Sequence, residues 1–428
     1  MLYIRFLCCL FFPALPLLAQ TGYNKVTTWG YPSLYTHNIL IDNDTILYYG
    51  NVQTGPPNYQ WGLLFAKLDT FGNLLSQRII TDSAGFNFSY HKNRDIIKLK
   101  DGSGYAFVAS FVDKRSGVLI CLDNDLNVKQ YREYRDDQVF VAFYIYLAET
   151  PDGFLLFGLK QKFDYYAGPF VLKTDKQGNK KWEKFYRLPG DRQYPVSIRA
   201  LENDHYILGS AVDLIDLPGF DSYARVWIID SAGTIVKDHI TTTSNEDVGA
   251  RDPQVMPDGG YLYLTGRMRQ YGSTVWDWGT NMSIVRRDSA FNEVWRTEVG
   301  MLDHIDNVWI DLRPTPDGHW LAMGKQVMPP LPNSEWGWTG GILCKFTQTG
   351  EVLWVRTDST LIEHYGENFN EYSGMGFLSS GNIIVAGQTW QKEPDHHFRA
   401  WLVKLTPDGC MDSLFCATVP VREPETEE

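Results

Sequence analysis

Between Gly168 and Tyr186 the chain reads GPFVLKTDKQGNKKWEKFY, an alternating apolar–polar stretch, a tight turn at Asp175-Lys176-Gln177-Gly178, and a second stretch carrying Trp182. Alternation on either side of a tight turn predicts a β-hairpin, because successive side chains of a strand face opposite sides of the sheet. The hairpin recurs six more times: WGLLFAKLDTFGNLLSQRI, GVLICLDNDLNVKQYREY, ARVWIIDSAGTIVKDHI, NMSIVRRDSAFNEVWRTEV, GGILCKFTQTGEVLWVRT and FRAWLVKLTPDGCMDSLF. Ahead of each lies another turn: DND (42–44), KDGSG (100–104), PDG (151–153), END (202–204), PDGG (257–260), PDG (316–318) and SSG (379–381). Proline presets φ and glycine accepts positive φ, so these clusters are turn chemistry. A short apolar strand follows each, ending at Gly50, Gly158, Gly209, Gly266, Gly324 or Gly387, with Ala109 in the remaining repeat. Each repeat therefore supplies four strands.

The fourth residues of the third-to-fourth turns are Gly72, Leu126, Gly178, Gly233, Phe291, Gly350 and Gly409, spaced 52 to 59 residues apart. Seven four-stranded units at a near-constant period predict an all-β chain, a seven-bladed β-propeller of antiparallel blades, with six or eight blades as the alternatives. The last unit has little chain left for a fourth strand. YNKVTTWG (23–30) precedes the first blade as WRTEVG (295–300) precedes another, so the N-terminal segment is predicted to supply that strand and close the ring.

The first-to-second and third-to-fourth turns are all short and share one face. The opposite face carries the long connections, 52–62, 159–168, 213–224, 267–281, 326–340 and 389–400. Long loops on a rigid scaffold are where binding collects. They hold the candidate ligand-binding aromatics Tyr59, Trp61, Tyr165, Tyr166, Tyr271, Trp276, Trp278, Trp336, Trp338 and Trp390, beside Tyr223. Asp164, Asp213, Asp216, Asp221, Asp277 and Glu335 are interleaved with them. Flat rings beside carboxylates suit sugars, and Trp and Tyr also anchor protein interfaces. Aromatics packed into small cores of their own are the structural alternative. Blade-to-blade loops bring a second set toward the channel mouth: His37, His91, Arg94, Asp95, Asp191, Arg192, Asp247, Arg251, Asp252, His304, Asp306, Glu363, His364 and Glu367. Paired carboxylates there could run acid–base or glycosidic chemistry, but spacing singles out no pair, so no catalytic residue is assigned.

Composition narrows the partners. Apolar residues at 44% with 14% aromatics suffice for a large core. A net charge of −12 and no basic run exclude a nucleic-acid partner, whose phosphates need Lys and Arg. Residues 1–19 read as a signal peptide, one Arg followed by an apolar run that prolines interrupt and that is too short to span a bilayer. The propeller is then expected over 20–417 and a disordered acidic, Pro-rich tail over 418–428. Cys410 and Cys416 flank a short loop and are expected to form a disulfide after export, whereas Cys121 and Cys344 fall on third strands as buried thiols. No HExxH or CxxC spacing supports a metal, and the acidic runs LDNDLN (122–127) and IDNDT (41–45) read as capped turns rather than calcium loops.

KTDKQGNKKW, RRDSAFNEVW and KFTQTGEVLW resemble the tryptophan-docking repeats of quinoprotein-like (PQQ-like) propellers, where a turn with Asp and Gly precedes a Trp that packs between blades. Trp182, Trp295 and Trp354 match that position, and Ser76, Gln130, Lys237 and Ser413 depart from it. The motif is structural, so the resemblance implies no quinone and no cofactor is expected. The chain more closely resembles exported propeller-repeat proteins of Bacteroidota, on its PDGG-type turns, WLVKLTPDGCMDSLFC and the Glu/Pro tail, over nearly the whole mature chain. In those proteins a type IX secretion sorting domain follows, and no such domain precedes Glu428. The segments DSA at Asp82, Asp230 and Asp288 are similar to O-glycosylation sites of that group and are also ordinary turns. The resemblance implies export to the periplasm, cell surface or medium. The expected function is a monomeric, non-catalytic binding or scaffold module for a glycan or a cell-envelope protein. The alternative is a glycan hydrolase or lyase using channel-mouth carboxylates.

Overall fold

The computed structural model describes residues 22–56, 59–89, 96–112, 115–162, 167–188, 191–214, 222–243, 246–270, 278–299, 307–328, 338–360, 368–391 and 397–411. Within them 28 strands form seven antiparallel sheets of four. Blades 1 to 6 run 33–80, 96–135, 139–185, 191–240, 251–299 and 308–358, each in sequential strand order from the channel outward. Blade 7 takes three strands from 368–405 and its outermost from Tyr23–Thr27. That strand lies antiparallel to Phe398–Leu405, from Tyr23↔Lys404 to Thr27↔Ala400, and Trp401 Nε1 donates to Asn24 Oδ1 at 2.6 Å. The ring therefore closes as the sequence predicts. Among the described residues no helix is long and apolar enough to cross a membrane.

Both faces of each blade are covered by its neighbours, which explains why the middle strands are apolar throughout. In blade 1, Ile46 and Tyr48 pack toward Ile384 and Leu402 of blade 7, while Leu47 and Tyr49 pack toward Phe107 and Ile120 of blade 2. The recurrent glycine ending the second strand has a specific cause. In five blades it pairs beside a bulge of the innermost strand, at Gly50↔Thr36, Gly158↔Tyr144, Gly209↔Ser197, Gly324↔Trp309 and Gly387↔Tyr372. A β-carbon at Gly158 would collide with the Phe143 carbonyl, so the bulge requires glycine.

Two further contacts tie the repeats together. The turn glycine of one blade receives the outer strand of the blade before it: Trp182 covers Gly233, Trp295 covers Gly350 and Trp354 covers Gly409. Where Trp is missing, Gln130 and Arg132 cover Gly178 and Tyr23 covers Gly72. Within a blade, the cation on the third strand reaches the aspartate of the first turn. Lys173 Nζ lies 2.5 Å from Asp152 and Lys345 Nζ 2.6 Å from Asp317, and Arg286 pairs with Asp258. The third-to-fourth turns are capped by their own aspartates; Asp123 Oδ1 accepts the N–H groups of Asp125 and Asn127 at 2.9 and 2.8 Å. Capping therefore accounts for the acids of 122–127.

Candidate functional site

The innermost strands of all seven blades line a central cavity of about 490 Å³. Leu40, Ile96, Leu147 and Ile198 are its apolar lining, Arg199, Asp252, Asp311 and Arg313 of blades 4, 5 and 6 form one charged group, and Lys98, Lys100 and Glu149 of blades 2 and 3 form another. Asp252 sits at the irregularity between Arg251 and Gln254, with φ of 46°. Its N–H donates to Ser197 Oγ at 3.1 Å, and its Oδ2 accepts the Leu312 N–H at 3.2 Å. Arg199 Nη2 stands 3.4 Å from both Asp252 Oδ1 and Asp311 Oδ1 and donates to the Leu312 carbonyl at 3.2 Å. Arg313 Nε donates to Asp311 Oδ2 at 2.8 Å.

The two carboxyls are hydrogen-bonded to one another and their environments separate them. Burial pushes Asp252 up to about 6, with Arg199 opposing and the charge of Asp311 adding to the rise. Burial also raises Asp311, but Arg313, Arg199 and the bond from Asp252 outweigh it and hold Asp311 below the usual carboxylate range. Asp252 thus keeps its proton to a higher pH than Asp311, which ionises first.

The long-loop face carries the aromatic candidates. Tyr59 is 55% exposed, with φ of 40°. Trp61 is half-buried, its N–H donating to Asn87 Oδ1 at 2.9 Å, and Trp390 lies 6.4 Å from the Phe398 ring. Trp61, Trp278, Trp338 and Trp390 occupy like places: the pairs Gln53↔Trp61, Gln270↔Trp278, Met328↔Trp338 and Trp390↔Phe398 end the second-to-third hairpins of blades 1, 5, 6 and 7. Tyr165, Tyr166, Tyr271, Trp276 and Trp336 lie outside the described residues, as do Asp164, Asp216, Asp221, Asp277 and Glu335. Asp213 accepts a bond from Ser222 Oγ.

Among the described channel-mouth candidates, Asp252 is the one that joins the charged cluster. His37 is buried beside Asn51, between Tyr35 and Tyr49. Asp247 is fully buried and takes Tyr263 Oη, Arg287 Nη2 and Arg296 Nη2, each at 2.7 Å, so it is a structural ion centre. Asp191 and Arg192 begin the innermost strand of blade 4, and Arg251 begins that of blade 5. His91, Arg94, Asp95, His304, Asp306, Glu363, His364 and Glu367 lie outside the described residues. Arg199, Asp311 and Arg313 were missed because the sequence reading looked in loops. Their signal was polar residues alternating inside innermost strands, at SIRA (197–200) and IDLR (310–313).

Cys121 and Cys344 are buried free thiols; burial, with Glu149 second, pushes Cys121 up to about 12, so neither is a poised nucleophile. Cys410 is in a disulfide whose partner lies outside the described residues, as does Cys416. Among the described residues no three His, Cys, Asp or Glu side chains converge as a metal site.

No family model and no curated protein sequence matches the chain. Among solved structures it is similar to an ulvan lyase of a new polysaccharide lyase family, bound to the repeat GlcA(1-4)Rha3S. The identity there is 9%, over 90% of this chain and 96% of that one, with a TM-score of 0.52. It is also similar to Drosophila plexin A in complex with semaphorin 1b, at 7% identity over 91% and 87% of the two chains and a TM-score of 0.46. A third is the α-L-arabinanase of Penicillium chrysogenum complexed with arabinobiose, at 13% identity over 90% and 97% and a TM-score of 0.45. At these identities the likeness is one of fold, shared by glycan-active enzymes and binding proteins alike.

Proposed function

We propose that the chain is an exported, non-catalytic binding propeller that takes a glycan on its long-loop face. Tyr59 carries this reading. Its loop is pinned at the base, where Thr54 and Gln60 exchange three bonds of 2.9 to 3.1 Å. Gln60 Nε2 also donates to the carbonyls of Asp82 and Phe86 at 3.0 and 2.9 Å. A left-handed backbone costs a non-glycine residue about 1 kcal/mol, and strain of this kind concentrates at ligand sites. Beside this pinned base Tyr59 presents an exposed ring, whose flat face suits stacking on a sugar. Trp61 and Trp390, at like ends of their hairpins, belong to the same proposed face, to which the sequence candidates Trp278, Trp338, Tyr165, Tyr166, Tyr271, Trp276 and Trp336 are assigned as part of this reading. A cell-envelope protein is the other occupant this face would suit. Residues 1–19 act as the signal, the mature propeller is a monomer without a cofactor, and 418–428 form a polar tail.

The test is a polysaccharide array probed with residues 20–428 and with a Tyr59→Ala/Trp390→Ala double variant. Native binding that falls about tenfold or more in the variant supports the aromatic face. An array silent for the native chain sinks it.

A second reading, glycan cleavage by channel carboxylates, is favoured by the Asp252 carboxyl, an acid poised near neutral pH. Geometry counts against it. Two-carboxylate glycosidic mechanisms set their groups about 5 Å or more apart, with sugar or water between them. Asp252 and Asp311 bond directly to each other.

A further inference from the structure

The cavity wall carries a guanidinium edge that the described residues leave unspent. Arg199 divides one terminal nitrogen between two carboxylates at 3.4 Å, a weak contact with each. Arg313 uses its Nε on Asp311, and among the described residues its two terminal nitrogens meet no acceptor within hydrogen-bonding distance. Its side chain nonetheless keeps 28% of its surface exposed and lines the cavity. Below about pH 6, where Asp252 keeps its proton, Arg199 and Arg313 face the single carboxylate of Asp311 at this part of the wall. A partly exposed guanidinium edge of this kind is complementary to an anion.

The cavity has the form of a small-molecule site. Its volume of about 490 Å³ lies within the roughly 300–1,000 Å³ of ligand pockets, which join an apolar wall to a few placed polar groups. A guanidinium with its terminal edge unspent matches a carboxylate through two parallel bonds. We propose that the central channel binds a small ligand bearing one carboxylate, held on the terminal nitrogens of Arg313 with Arg199 alongside, its uncharged body against the wall formed by Leu40, Ile96 and Ile198. This site is separate from the aromatic face and does not depend on it.

The source of the carboxylate is a sugar acid or a simple organic acid, and calorimetry on residues 20–428 tells them apart. D-glucuronate, benzoate and neutral D-glucose serve as probes. One of the two acids is expected to bind about tenfold or more tighter than glucose, and Arg313→Gln to remove about tenfold of that affinity. Glucuronate preferred over benzoate identifies a sugar-acid site, and the reverse an organic-acid site. Affinity should fall from about pH 5 to about pH 7.5, because Asp252 then ionises and adds a negative charge facing Arg199, Asp311 and Arg313, with Lys98, Lys100 and Glu149 on the farther wall. If Arg313→Gln does not fold, the acid-over-glucose ratio of the native chain and its pH trend decide. No binding of either acid, equal binding of glucose, or an unchanged affinity in a folded Arg313→Gln variant overturns the proposal.

Discussion

A β-carbon placed on Gly233 would lie 2.6 Å from the Trp182 ring, and the glycine itself has φ of 74°. Gly318 has φ of 83° but nothing within 4 Å of the same point. The two sites separate backbone strain from blade docking. Gly318→Ala should cost about 1–2 kcal/mol of strain alone. Gly233→Ala should cost a further 1–3 kcal/mol or so for overpacking at the blade interface. Urea unfolding of the two variants checks this, and equal losses would show that the Trp182 contact constrains nothing. Trp182, Trp295 and Trp354 were legible in the sequence as docking residues. Arg132 and Tyr23 were not, because each covers a glycine of a neighbouring blade from an outer strand whose own sequence lacks the motif. Leu126 and Phe291 hold the same left-handed turn position at φ of 66° and 71°, where glycine stands in the other five repeats. Spacing identified their place, although their residue type argues against it.

Three repeats, those of blades 3, 5 and 6, join a Pro-Asp-Gly turn to a cation about two strands later, and the ion pairs show why the two occur together. Lys345 keeps only 6% of its side chain exposed, with Nζ bound to Asp317 Oδ2 and the Pro407 carbonyl at 2.6 and 3.0 Å. Burial raises Asp317, but Lys345 and Thr315 outweigh it and bring it down to about 2. An unfolded aspartate titrates near 3.9. The folded value is the lower one, so the pair adds stability above about pH 4 and loses it as the pH falls through about 2. Asp317 is half exposed, so water screens the pair and the gain is modest. Asp317→Asn should melt below the native chain at about pH 5, with the gap closing by about pH 2. A constant gap across that range would assign the loss to packing instead. The same scale explains the missed site. Loops attract attention as functional, whereas Arg199, Asp311 and Arg313 stand on innermost strands, where one polar residue in an alternating run also reads as a solvated face.

The ring is joined by five residues. Tyr23–Thr27 covers the outer edge of Phe398–Leu405, and without it that strand would present unpaired N–H and C=O groups. A chain starting at residue 28 should therefore melt several degrees lower and associate as its concentration rises. Asn24→Ala, which removes only the bond to Trp401, should cost about 1 kcal/mol and leave the chain monodisperse. Thermal melts with size-exclusion chromatography read both effects. A truncated chain as stable and as monodisperse as the full one would mean that closure contributes nothing.

By itself the sequence determined the number of blades, the four strands in each, the turn positions and the closing strand. Those features rest on local chemistry: period-two alternation, turn residues at fixed offsets, and a repeat that cannot cover its own faces. Tertiary structure alone decided what stands in the channel. Arg199, Asp252 and Asp311 come from three blades, and Arg199 and Asp311 are 112 residues apart in the chain. Their meeting depends on blade angle and on bulges that turn single side chains inward. The separation of the two carboxyls, Asp252 raised by burial and Asp311 held down by Arg313 and Arg199, exists only once the ring has closed around them.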